Sequence, residues 1–204
     1  IWRWFKSSDW VGYALTRPNA VAPGSAWIYD SSASHLLSAA ITKAAGEDTA
    51  EFAQKHLFTP IGIPENSVSG KVSWQYGSQK IRAGGFGISM TARELAKFGF
   101  LILNEGHWDG KQIVSREWIK AATSKQIARS DGGGYGYQWW TGHNDKYFYA
   151  VGLGGQSVFI IPLLDMVVVT TAQNNTYAMA DGAEFIKPME LFSIFGRIMD
   201  CVSY

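Results

Sequence analysis

The stretch Val151-Gly152-Leu153-Gly154-Gly155-Gln156 sets a glycine-dense corner between an aromatic run, Tyr147-Phe148-Tyr149, and an apolar run, Val158-Phe159-Ile160-Ile161. Glycines between two strands let a backbone approach a substrate closely and donate N–H hydrogen bonds, the arrangement that stabilises an oxyanion. Such a corner becomes catalytic only beside a nucleophile and a proton acceptor. No Gly-x-Ser-x-Gly elbow exists in the chain. The residues three before each lysine are Arg3, Ala40, Phe52, Val68, Gly77, Glu94, Trp108, Glu117, Ala122, His143 and Glu184. A serine and a lysine one helical turn apart, which would activate the hydroxyl, are therefore missing from these 204 residues.

Metal and cofactor chemistry find no footing either. His35, His56, His107 and His143 are scattered, none forms a His-x-x-x-His pair, and surface or core-edge positions are expected for all four. Cys201 is the single cysteine, which excludes an internal disulfide and a cysteine-rich zinc site. Gly84-Gly85-Phe86-Gly87 does not follow a strand and open a helix, as a dinucleotide fingerprint must. No metal and no cofactor are expected.

The elements that must carry the corner follow from periodicity. Ala33, Leu36, Leu37, Ala40, Ile41 and Ala44 form a helical stripe closed by Gly46. A short helix over 49–57, capped by Asp48 or Thr49, ends before Pro60 and Pro64. Residues 61–88 read as irregular. Thr91 and Glu94 make a capping box for a helix over 92–104, apolar on nearly every side and so expected in the middle of the fold. Another short helix starts after Ser115. Past Asp131-Gly132-Gly133-Gly134 the period becomes extended: 135–140, 146–151, 157–161 and 166–171 predict an antiparallel sheet of three or four strands. Pro188 opens a closing helix. The pattern is α+β, an antiparallel sheet flanked by helices.

Bulk properties agree with one globular unit. The chain is 47% apolar with a net charge of +1, so it can bury a core and offers no basic footprint for nucleic acid or a membrane surface. No apolar run reaches the roughly 18 residues of a membrane-spanning helix, and the first residues do not have the layout of a signal peptide. The absence of an initial Met suggests a chain that begins partway through a longer protein.

Four blocks, in order, carry a resemblance. Pro23-Gly24-Ser25-Ala26-Trp27-Ile28-Tyr29-Asp30-Ser31, running on to Ala45-Gly46, resembles the Pro-Gly-x-x-φ-x-Tyr-x-Asn/Ser segment of β-lactamase-related serine hydrolases. These are class C β-lactamases, penicillin-binding DD-peptidases and their esterase and amidase relatives. Phe58-Thr59-Pro60-Ile61-Gly62-Ile63 looks like the family's Pro-Leu-Gly-Met turn. Ala83 to Ser89 resembles its buried glycine turn, and Gly152 to Gln156 with Pro162 and Val167-Val168-Val169 resembles its active-site strand and the next one.

The resemblance implies acyl transfer through a covalent serine ester, with no metal or cofactor and a small ester or amide as substrate. It implies Tyr29 as the general base and later acid, and the Gln156 N–H as an oxyanion donor. Ser31 stands where the family has asparagine, and Leu153-Gly154-Gly155 stands at its Lys-Thr-Gly, with these four residues lining the substrate pocket. Leucine cannot supply the cation that meets a β-lactam carboxylate. The family's Ser-x-x-Lys lies N-terminal to the tyrosine block. The resemblance therefore implies that residues 1–204 are the C-terminal part of a single β-lactamase/transpeptidase-like domain, incomplete at its N-terminus, whose missing segment supplies the nucleophile. This chain alone would then be inactive. A periplasmic or secreted location would be typical of the family. Tyr135, Tyr137, Trp139 and Trp140 are candidates for an aromatic pocket wall. The competing reading is a non-catalytic ligand-binding or sensory module on the same fold.

Overall fold

A computed structural model describes residues 2–64, 73–142, 145–152, 154–172 and 188–202. Leu153 and His143 lie outside the described residues. The helices are α1 (Trp2–Phe5), α2 (Trp10–Leu15), α3 (Ser31–Ala45), α4 (Thr49–Ala53), α5 (Ala92–Leu103), α6 (Arg116–Thr123) and α7 (Pro188–Val202). Two short hairpin-like pairs, β1 (Ser73–Trp74) with β2 (Ile88–Ser89) and β3 (His107–Trp108) with β4 (Lys111–Gln112), flank α5 in the chain. The main sheet is built from β5 (Ile127–Ala128), β6 (Gly134–Tyr135), β7 (Trp140–Thr141), β8 (Phe148–Val151), β9 (Ser157–Ile161) and β10 (Met166–Thr170).

Its strands are antiparallel and follow chain order, β10-β9-β8-β7-β6-β5. Alternation along β9 explains the layering. Val158 and Ile160 face a cluster with Ile102 of α5 and Ile119 of α6, while Phe159 and Ile161 face Phe195 and Phe192 of α7. A strand buried on both sides reads as a continuous apolar run, as this one does. Each such side chain contributes about 1.5–3 kcal/mol relative to exposure. The outer edge of β10 has no partner strand among the described residues.

Local chemistry sets the helix ends. Asp30 accepts from the Ser32 N–H at 2.8 Å to start α3, and Gly46 at φ +70 stops it. Thr91 and Glu94 form the expected reciprocal capping box on α5. Gly99 brings α5 onto the sheet, since a Cβ there would come within 2.6 Å of Val167 and 2.9 Å of Val158.

Several expectations change. The run 135–140 is not one strand; Gln138 at φ +67 turns it into the tight β6–β7 hairpin, and with β5 the sheet has six strands rather than three or four. The helix over 49–57 begins as α4 and widens into a π-helical turn, Gln54–Phe58. Within 61–88, taken as irregular, Ser73–Trp74 pairs with a strand that starts at Ile88, the β1–β2 pair. Helix α5 is not buried on every side, because Phe100 is 49% exposed. His35 is no surface or edge residue: it is fully buried among Trp4 and Trp10, which pack edge-on to it at 5.7 and 5.2 Å.

Candidate active site

Tyr29 sits in the extended segment that enters α3 and is half exposed. Its ring stacks on Trp140 of β7 at 5.7 Å, and Trp27 lies 6.2 Å away. Trp27 in turn packs on Tyr135 at 5.2 Å and on Trp140 at 5.0 Å. Tyr29, Trp27, Tyr135 and Trp140 thus form one cluster of four rings from the α3 entry and the β6–β7 hairpin. Burial, followed by the neighbouring Tyr29, pushes the Tyr135 phenol up to about 12. A hydrogen bond from the Ser34 hydroxyl to Gln138 Oε1, 3.0 Å, ties the first turns of α3 to the same hairpin.

Of the proposed aromatic wall, the hairpin delivers half. Trp140 and Tyr135 lie with Tyr29, whereas Trp139 is buried against Phe98 and Phe148, and Tyr137 stacks outside on Trp118 at 5.4 Å. Tyr135 and Trp140 meet because the hairpin pairs them directly across β6 and β7, whereas Trp139, next to Trp140, points to the opposite side of the sheet.

Ser31 is the first residue of α3. The glycine turn lies directly on it: a Cβ at Gly85 would meet the Ser31 Cβ at 3.0 Å, and one at Gly84 would meet the Ser34 carbonyl oxygen at 2.1 Å. These glycines are there for close approach to α3, a reason distinct from ligand binding.

At the other glycine corner, the Gly152 N–H donates to the Gln156 carbonyl at 2.9 Å and the Gly155 N–H to the Gly152 carbonyl at 3.2 Å. Gly155 adopts φ +81, which favours glycine. Thr170 of β10 donates its hydroxyl to the Gly155 carbonyl at 2.9 Å, anchoring the corner to the sheet. Gly154 and Gln156 line a cleft of about 280 Å³ together with Ile88, Ser89 and Met90.

A larger cleft of about 390 Å³ opens beside Tyr29's neighbours, between Ser25, Ala26 and Trp27 on one side and Arg129, Asp131 and Trp140 on the other. The two clefts share no lining residue. Arg129 lies over the Trp140 ring at 4.4 Å and pairs with Asp131. Burial opposes its charge, but hydrogen bonds with Tyr149 and Asp131 outweigh that and raise its pKa. For Asp131 burial raises the carboxyl, but the hydrogen bond and charge of Arg129 together with the Gly133 N–H outweigh it and hold the carboxyl below its usual range.

Trp27, Arg129, Asp131 and Gln138 escaped the sequence reading. Trp27 had a usable signal, because it stands two residues before Tyr29 in an extended segment and so shares its side. Gln138 is brought in by the β6–β7 hairpin, and Arg129 and Asp131 by the connection between β5 and β6. Among the described residues no three His, Cys, Asp or Glu side chains converge as a metal site, and no helix is long and apolar enough to cross a membrane.

A six-stranded antiparallel sheet packed against helices places the chain in the β-lactamase/transpeptidase class of α+β folds. The β-lactamase family profile matches residues 2–187, and the chain belongs to the β-lactamase family. It is 33% identical over 94 residues to the 6-aminohexanoate-dimer hydrolase of Paenarthrobacter ureafaciens, a match covering 41% of this chain and 24% of that protein. A candidate 6-aminohexanoate-dimer hydrolase from Bacillus anthracis superposes with a TM-score of 0.67 at 21% identity, over 94% of this chain and 49% of the other. A penicillin-binding protein from Bacillus halodurans gives 0.65 at 14% identity, over 89% and 59%. These two structures establish a shared fold. The chain spans about half the length of the first of them.

Proposed function

We propose that residues 1–204 form the tyrosine-bearing part of a serine hydrolase domain that cleaves an ester or amide through an acyl-enzyme. Tyr29 takes the proton from the attacking serine and later returns it to the leaving group. The Gln156 N–H is one oxyanion donor, and Ser31, Leu153, Gly154 and Gly155 line the pocket. The observation that carries this reading is Tyr29 itself, half exposed at the entry to α3 and held between Trp27 and Trp140, in a chain of the β-lactamase family. The serine and lysine come from residues outside these 204, since no Ser-x-x-Lys occurs within them.

The test is acylation followed by mass spectrometry. A p-nitrophenyl ester incubated with the intact protein should leave an acyl group on a serine of a Ser-x-x-Lys motif, and the 204 residues alone should acquire none. Acylation of the isolated chain would overturn the assignment of the nucleophile. Failure of the intact protein to acylate any serine would favour a ligand-binding module instead.

A further inference from the structure

The cleft lined by Trp27, Trp140, Arg129 and Asp131 has a charged wall that acyl transfer leaves without a role. Its two charges are unequally available. The Arg129 side chain is 9% exposed, whereas that of Asp131 is 54% exposed. The guanidinium is already engaged: it donates to Asp131 and to the Gly134 carbonyl, and lies over the rings of Trp140 and Trp27. Asp131 accepts from Arg129 through one oxygen and from the Gly133 N–H at 3.2 Å through the other. Each carboxylate oxygen accepts more than one donor, and more than half of this side chain faces solvent.

That asymmetry selects the sign of the ligand. An anion would have to displace Asp131 from Arg129, and Asp131 is tethered two residues away at high effective concentration. A cation displaces nothing. It meets an ionised carboxylate, the serines Ser25 and Ser130, and two indoles able to take a cation or the methylenes behind it. Arg129 and an incoming ammonium would share one carboxylate, each in contact with an oxygen and farther from one another.

We propose that this cleft is a subsite for an alkylammonium group, with the ammonium on Asp131 and its methylenes along Trp27 and Trp140. Arg129 is the positioning residue that fixes Asp131. Because Trp140 borders the cleft and also stacks on Tyr29, the amine belongs to a substrate whose ester or amide lies at Tyr29. This last step rests on the proposed role of Tyr29; binding of the ammonium does not.

The experiment is a titration of the intact protein with hexylammonium chloride, sodium hexanoate and hexanol, read by the indole N–H resonances of Trp27 and Trp140. Hexylammonium should produce saturable shifts, hexanol weaker ones and hexanoate none. Asp131→Asn should weaken hexylammonium binding by at least about tenfold, the scale of a hydrogen bond to a charged group. Since that change also touches the Arg129 and Gly133 bonds, Ala26→Lys serves as a second variant. It leaves those bonds in place and puts a tethered ammonium in the cleft, and it should block hexylammonium equally. Binding of hexanoate as well as or better than hexylammonium, or parental affinity in either variant, would overturn the proposal. No turnover is involved, so a negative titration leaves the hydrolase reading standing, and an absent acyl-enzyme leaves the titration valid.

Discussion

Tyr29 and Trp140 stack with their ring centroids 5.7 Å apart and their planes 25° from parallel, although they are far apart in sequence. The contact joins the entry of α3 to the first residue of the β6–β7 hairpin's second strand. It therefore fixes the phenol against the sheet rather than against its own helix.

Removing the hydroxyl alone tests its chemistry. Tyr29→Phe should lower kcat of the intact protein by about 10²–10⁴-fold, the range of a general acid–base residue. Its thermal midpoint should stay unchanged, because the ring remains stacked. Trp140→Leu should do the converse: it keeps the hydroxyl, loses a stack of about 0.5–1.5 kcal/mol beyond buried area, and lowers kcat by up to about tenfold. Equal kcat in Tyr29→Phe and the parent would rule out the proton-transfer role.

Two glycines of α3's surroundings should respond differently to asparagine. Gly46, at φ +70 with open space around its Cβ position, should tolerate Asn almost neutrally and lose about 1–2 kcal/mol as Ala. Gly84, pressed on the Ser34 carbonyl, should lose about 1–3 kcal/mol or more with either substitution. Urea unfolding of the four variants gives the comparison, and a neutral Gly84→Ala would show that the turn is free to shift.

Acid should weaken the α1–α2 side of the molecule through His35. Burial lowers its pKa, partly offset by a backbone hydrogen bond at Arg82, and its Nε2 has no hydrogen-bond partner among the described residues. The unfolded chain then binds the proton more readily than the folded one. The stability is complete above about pH 6.5 and is lost as pH falls through the folded value. His35→Gln, which cannot titrate, should flatten unfolding midpoints measured from about pH 7.5 down to 5. An equally steep decline in the variant would assign the acid sensitivity elsewhere.

Alkali acts in the opposite direction on Tyr135. With the folded phenol pushed up to about 12 by burial and then by Tyr29, the unfolded phenol ionises first. Stability is intact below about pH 10 and falls as pH rises from there towards 12. Tyr135→Phe should remove that part of the decline in the same denaturation series.

The long-range frame was legible because its signals are local and periodic. The Thr91–Glu94 box marks a helix start and the two-sided run Val158–Ile161 a buried strand directly in the residue types. The stripe from Ala33 to Ala44 marks the helix but not its buried face, since Leu37 and Ile41 are exposed and His35 and Ser38 are buried. Tyr29 is legible from the block Pro23 to Ser31 rather than from any period, because a site residue in an extended segment before a helix leaves no periodic mark. The β6–β7 hairpin was missed because Gln138 takes a left-handed conformation without a glycine or an Asn-Gly pair to mark it. With it went the partition of Tyr135 and Trp140 from Tyr137 and Trp139. His35 was misplaced because its burial comes from Trp4 and Trp10, remote in sequence, and not from the apolar stripe of its own helix.

The open side of β10 has a colloidal consequence. Met166–Thr170 carries no charge and no proline, and among the described residues its outer ladder of N–H and C=O groups meets no other strand. Such an edge is a template for intermolecular pairing. Concentration, more than temperature, should therefore govern how long the 204-residue chain remains dispersed, with light scattering rising steeply with protein added while the fold around Tyr29 is still intact.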